Sequence, residues 1–201
     1  MLNWGDLSIL SFHATKAYST IEGGAIICHT PKMKQKLDKL KSFGFDSETE
    51  LSLLGSNAKM NEIQAAFGLA SLGQIDDAIE KRQQVAEMYR KALADVNGIR
   101  YLDDLDDVRH NYSYFPVIVN EQEYGLSRDA LYEKLRENNI LARRYFYPLI
   151  TEFDFYKKNN LTVQYNSDVA KGISDNVICL PMHHELNCDD INKIIAVLVS
   201  K

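Results

Sequence analysis

Across residues 61–93 the apolar side chains recur at the spacing of a helical face, and no other stretch constrains the fold as strongly. Ile63, Phe67 and Ala70 share one face, while Leu72, Ile75, Ile79, Ala86 and Leu93 mark a stripe that continues past Gly73. A helix this long bends, and Gly73 is the expected point of bending. A rod of this kind suits a connection between two lobes. Strand patterns lie on both sides of it. Residues 7–13 read as a short strand, and 23–28 as a buried one from their continuous apolar run. Pro31 suits the first turn of a helix with Met33, Leu37 and Leu40 on one face, and Gly44 is its expected stop. Beyond the rod, residues 112–119 read as a strand with Pro116 at an edge or bulge, because proline donates no ladder bond. Ser127 is placed to cap a helix over Leu131 and Leu135. Residues 140–145 and 177–180 read as further strands, and 187–198 as a closing helix. Strands alternating with helices give an α/β or α+β arrangement.

Composition excludes several classes of function. A net charge of -5 leaves no basic footprint for nucleic acid. No apolar run reaches the roughly 18 residues of a membrane span, and the first residues carry no secretory signal. Three cysteines fit a reducing compartment, so the cytoplasm is the expected location, with Cys28, Cys179 and Cys188 in buried structural roles. The acidic run Asp103-Asp104-Leu105-Asp106-Asp107 reads as a solvated loop. His183-His184-Glu185 with Cys188 matches no common zinc spacing, and adjacent histidines on an extended chain point to opposite sides, so no metal is expected. The tyrosines between Tyr112 and Tyr165 are expected to pack mainly in a core.

The chemistry is concentrated near the start. Ser11-Phe12-His13-Ala14-Thr15-Lys16, followed by Glu22-Gly23-Gly24-Ala25, places a lysine on the turn after a strand. An amine held in a cleft loses solvation, its pKa falls, and the neutral form becomes available for Schiff-base chemistry. Ser11 can offer a hydroxyl to a phosphate in the same cleft. The competing reading is an ordinary surface lysine on a turn.

This segment resembles the lysine motif of the DegT/DnrJ/EryC1/StrS family of sugar aminotransferases. Gly55-Ser56-Asn57-Ala58-Lys59-Met60-Asn61-Glu62-Ile63-Gln64-Ala65-Ala66 is similar to the family signature that opens its long helix. Arg143-Arg144-Tyr145-Phe146-Tyr147-Pro148-Leu149 is similar to its small-domain substrate segment, and Val177-Ile178-Cys179-Leu180-Pro181-Met182 to a stretch near its C-terminus. The four matches keep the family's order and span nearly the whole chain.

The resemblance implies a truncated α/β fold of the pyridoxal phosphate (PLP)-dependent transferase, aspartate-aminotransferase-like type. Residues 1–56 would be the C-terminal remnant of the PLP-binding large domain, 57–95 the long connecting helix, and 96–201 an α+β small domain. Lys16 would hold PLP and carry protons between the donor's α carbon and the cofactor. Ser11 would bind the cofactor phosphate, and Asn57 the phosphate in the partner's site of a homodimer. Tyr145, Arg143 and Arg144 would face a nucleotide-linked keto sugar, expected to be dTDP-4-keto-6-deoxyglucose, with an amino acid such as glutamate as donor. The arginines also read as a solvated strand end, and His13 is expected only to pack beside the cofactor. Lysine at position 16, where a dehydratase branch of the family has histidine, favours amino transfer. A full-length member carries a glycine-rich phosphate cradle, a ring-stacking aromatic and an aspartate for the pyridinium nitrogen ahead of this lysine. The chain is therefore expected to be a fragment with little or no activity alone. The alternatives are a non-catalytic dimerising remnant and a PLP-dependent sugar dehydratase.

Overall fold

The computed structural model describes residues 2–159 and 167–200 of the 201-residue chain. These form two compact units, Met1–Asp76 and Asp77–Lys201.

In the first unit, β1 (Leu7–Ser11) and β2 (Gly24–Cys28) form a two-stranded antiparallel sheet with Ile9 opposite Ile26 and Ser11 opposite Gly24. β2 is not the buried strand its apolar run predicts. Ile26 is 47% exposed and its cross-strand partner Ile9 80%, because nothing among the described residues covers the face they share. Helix α1 (Pro31–Lys41) begins as expected, with Pro31 in the first turn and Thr30 accepting from the Met33 amide. Its end is held by the chain further on. Gly44 N–H donates to the Lys39 carbonyl, while the Leu40 and Lys41 carbonyls accept from the Ser56 and Ala58 amides. Carbonyls that a helix end leaves unpaired are thereby satisfied, and residues 55–58 are strapped to α1. Glycine is required here. A Cβ on Gly44, at φ +88°, would lie 1.8 Å from the Leu53 carbonyl oxygen, and one on Gly55 would lie 2.5 Å from the Gly44 nitrogen.

Asn61 then caps α2 (Glu62–Leu72) through a reciprocal pair with Gln64. The helical stretch breaks at Gly73, and α3 (Ile75–Leu93) follows. α2 is apolar on most sides yet buries only Gly68; Ile63, Phe67, Leu69 and Leu72 are exposed.

The second unit has a core of its own. Strands β3 (Ile99–Tyr101), β4 (Phe115–Val119) and β5 (Val177–Leu180) form an antiparallel sheet in that order. Phe115, Val117 and Val119 alternate into a core shared with Val85, Ala86, Tyr89 and Leu93 of α3. Leu131 and Leu135 of α5 (Arg128–Glu137) join it, as do Ile191, Ile194 and Leu198 of α8 (Cys188–Val199). Ser127 caps α5 as expected, and Asn187, read as the first residue of the closing helix, caps α8. Three short helices escaped the sequence reading: α4 (Glu121–Tyr124), α6 (Asp154–Lys158) and α7 (Asp168–Asn176). β3, three residues long, also escaped it.

Two expectations are corrected here. Pro116 lies in the central strand, neither at an edge nor in a bulge. It pairs with Cys179, whose own N–H and C=O are turned away to Arg143 (2.7 and 3.0 Å), and β3 ends opposite Val117, so Pro116 has no ladder bond to lose. Residues 140–145 form no strand. Only Arg143 bridges to Cys179, after which the Tyr145 and Tyr147 amides turn back to the Arg143 and Arg144 carbonyls and end the extended run. Cys179 is buried as expected, but Cys28 is half-buried and Cys188, in the first turn of α8, is exposed. No helix among the described residues is long and apolar enough to cross a membrane.

Candidate active site

The lysine turn hangs between β1 and β2. Phe12 donates to the Gly23 carbonyl (2.9 Å) and accepts from the Thr20 amide (3.0 Å), closing the loop at its neck. Inside it the Lys16 amide donates to the His13 carbonyl at 2.9 Å, and Lys16 is half-buried. Ser11 ends β1, with its exposed hydroxyl accepting from the His13 amide at 3.4 Å. His13 contacts Thr15 through Nδ1 (3.0 Å) and Glu22 through Nε2 (3.5 Å), so its ring is engaged within the loop. A primary amine and a hydroxyl on one short, pinned loop are the donor set that a molecule bearing both an aldehyde and a phosphate requires, so these residues fit PLP. Asn57 belongs to the same unit. Its segment is strapped to the end of α1, and its side-chain oxygen accepts from Lys59 Nζ at 2.7 Å.

The second group of expected residues lies in the other unit, around a cleft of 570 Å³ whose lining includes Arg144, Tyr145, Phe146, Tyr147, Ile150 and Phe153. Arg143 does not line this cleft; it is exposed beside β5, where its guanidinium donates to the Tyr145 hydroxyl. Tyr145 stacks on Phe146 with centroids 4.6 Å apart and meets Tyr114 edge-on at 5.7 Å. Tyr145 and Tyr147 thus line a cleft, whereas Tyr112 and Tyr124 pack in the core as composition predicts.

The cleft wall is braced from behind by residues that the sequence reading passed over. Asp129 in the first turn of α5 accepts from Arg144 (2.9 Å) and from Arg128 Nε (2.8 Å). Burial works against the Asp129 charge, but the Arg144 and Arg128 guanidiniums hold its carboxyl below the usual range. Arg128 is buried and donates to the Ser174 and Val177 carbonyls, with its guanidinium 4.4 Å from the centre of the Tyr147 ring. The Ser174 hydroxyl donates to the Phe146 carbonyl at 2.7 Å. In sequence Asp129 looks like an ordinary acid in a first helical turn, since its contact with Arg144 spans 15 positions that no periodicity links. Among the described residues no three His, Cys, Asp or Glu side chains converge as metal ligands would.

Comparison with known proteins gives the family of the chain. The model of the DegT/DnrJ/EryC1/StrS aminotransferase family matches residues 2–199. A dTDP-4-amino-4,6-dideoxy-D-glucose transaminase from Shigella dysenteriae is 46% identical over 200 residues, covering 98% of this chain and 53% of the relative. An Escherichia coli protein of the same name is 39% identical, covering 92% of this chain and 50% of its own length. Among solved structures, DesI in the presence of its TDP-sugar product superposes with TM-score 0.88 at 31% identity, over 96% of this chain and 49% of that one. The Helicobacter pylori aminotransferase PseC, involved in the biosynthesis of pseudoaminic acid, does so at 0.84 and 25%, over 97% of this chain and 53% of its own. The chain spans about half the length of the relatives it matches. It belongs to the DegT/DnrJ/EryC1/StrS aminotransferase family.

Proposed function

We propose that this chain carries the lysine loop and the substrate-facing lobe of a PLP-dependent aminotransferase that acts on a nucleotide-linked keto sugar, with dTDP-4-keto-6-deoxyglucose as substrate and glutamate as amino donor. The observation that carries the reading is the pinned loop that ends β1, with Ser11 and Lys16 five positions apart on it. When bound, PLP supplies an electron sink for the carbanion formed when the donor's α proton is removed. Lys16 Nζ would attach the cofactor and, once released from it, take up and return that proton. The Ser11 hydroxyl would donate to the cofactor phosphate. Asn57, held rigid by the strap on α1, would serve the phosphate in a partner subunit's site, so the working unit is a homodimer in the cytoplasm. Arg144 and Tyr145 would meet the nucleotide sugar at the 570 Å³ cleft, with Arg143 beside them on the edge of β5.

The 201-residue chain alone should turn over little or no substrate, because the sheet face beneath its lysine loop is open at Ile9 and Ile26. The test joins this chain to the half that its relatives carry ahead of it and treats the assembly with PLP and borohydride. Peptide mapping should find the reduced cofactor on Lys16, and Lys16→Ala should abolish both the label and amino transfer from glutamate. A label on another lysine would refute the assignment.

A further inference from the structure

Asp129 neither lines the cleft nor belongs to any motif in the sequence, yet it is the point at which the cleft's cationic groups are tied together. Its carboxylate accepts from Arg144 and Arg128, at 2.9 and 2.8 Å. Arg144 then lies with its guanidinium 4.5 Å from the Tyr132 ring centre and 5.8 Å from that of Tyr147. Arg128 sits 4.4 Å from the Tyr147 centre and is fixed by the carbonyls of Ser174 in α7 and Val177 at the start of β5. Two cations against one carboxylate leave the trio with a net positive charge. Arg128 is 3% exposed, with Nε donating to Asp129 and Nη1 to two carbonyls, so that charge reaches the cleft through Arg144. A guanidinium carries five N–H donors in a planar fork, so one bond to Asp129 sets its plane and leaves others for an anion.

We propose that Asp129 is the positioning residue of this cleft, orienting Arg144 so that its free donors take the diphosphate of a nucleotide while the aromatic wall takes the base. The proposal rests on the nucleotide-sugar reading above and deepens it. Asp129 touches no ligand itself. Its effect falls on the charged part of the ligand, because the Asp129 carboxylate bonds to the two arginines, whereas the Phe146 carbonyl of the aromatic wall is held by the Ser174 hydroxyl.

The test is equilibrium binding of dTDP and of uncharged thymidine to the full 201-residue chain, by titration calorimetry at fixed salt. Wild type should bind dTDP more tightly than thymidine, and Asp129→Asn should weaken dTDP by about tenfold while leaving thymidine within about twofold. Asp129→Glu should recover part of the loss. Arg144→Gln keeps the Arg128–Asp129 pair, which guards against an unfolded Asp129 variant, and should show the same selective loss. A merely structural role would weaken both ligands together, and that result would overturn the proposal. So would equal dTDP binding by wild type and Asp129→Asn, or no dTDP binding by wild type. If the completed protein fails to transfer an amino group while the selective loss persists, the catalytic reading falls and the role of Asp129 stands.

Discussion

Arg82 shows how one buried cation can organise a loop. It is 6% exposed on α3, and its guanidinium donates to the Tyr112 carbonyl (3.2 Å) and the Met182 carbonyl (2.9 Å), with no carboxylate partner among the described residues. Burial alone draws its pKa down. Two turns along the same helix, the Tyr89 hydroxyl donates to the Pro181 carbonyl at 2.9 Å. The residues before His183 are thus held at two successive carbonyls. Arg82→Met should cost about 2 kcal/mol in urea unfolding, because it strands two carbonyls while keeping the volume; an unchanged midpoint would show that water replaces the donor. Cys179 offers a check on the interior. Burial pushes its thiol up to about 11, against an opposing backbone contact at Tyr145. At pH 8 only about a thousandth of it is thiolate, so a thiol reagent should modify Cys188 and spare Cys179 until the chain unfolds. Since the folded pKa lies above the unfolded one, this site's contribution to stability is complete below the ordinary thiol pKa and fades as pH climbs toward 11.

At the scale of elements, the decisive device is the junction between α1 and residues 55–58. Gly44 and Gly55 approach too closely for any side chain, and Gly44 adopts φ +88°. Gly44→Ala should therefore strain the backbone and push Leu53 away, destabilising the first unit by about 1–3 kcal/mol. Hydrogen exchange should report it as faster exchange at the Ser56 and Ala58 amides, with β4 and β5 unchanged. Much of this level was legible in the sequence. Capping residues at Thr30, Asn61, Ser127 and Asn187 sit where helices begin, and Gly73 marks the break between α2 and α3. What escaped was set by tertiary partners. Pro116 tolerates a central strand only because Cys179 pairs with Arg143, a contact across 36 positions. Residues 140–145 have strand-forming side chains but only one partner residue to pair with. The site divides in the same way. Lys16 and Ser11 were visible as a local motif, whereas Asp129 and Arg128 depend on helices brought together by folding.

Across the molecule, burial is distributed unequally. Every buried apolar side chain among the described residues lies between Ala78 and Leu198, so the core belongs to the unit that carries the cleft. The unit that carries the lysine loop exposes Trp4, Ile9, Leu54, Ile63 and Leu69 instead. Apolar surface of this kind is stable only when covered, and a two-stranded sheet is marginal by itself. The two units should thus differ in independence. Under limited proteolysis the 201-residue chain should be cut first within residues 2–76, leaving a resistant product that spans α3, β3 to β5 and α8. Native exchange should rank the same way, with the slowest amides at Val117, Ile178 and Leu198, because opening them requires breaking the shared core. Supplying the half that the relatives carry ahead of this chain should protect β1, β2 and α2 while changing the slow amides little. Uniform protection of both units in the isolated chain would mean that the first unit covers its own apolar faces, through self-association, and a concentration series would then restore the expected order on dilution. Equal protection that persists on dilution would contradict the assignment of the core to one unit, and with it the expectation that the cleft can hold a nucleotide while the lysine loop is still unsupported.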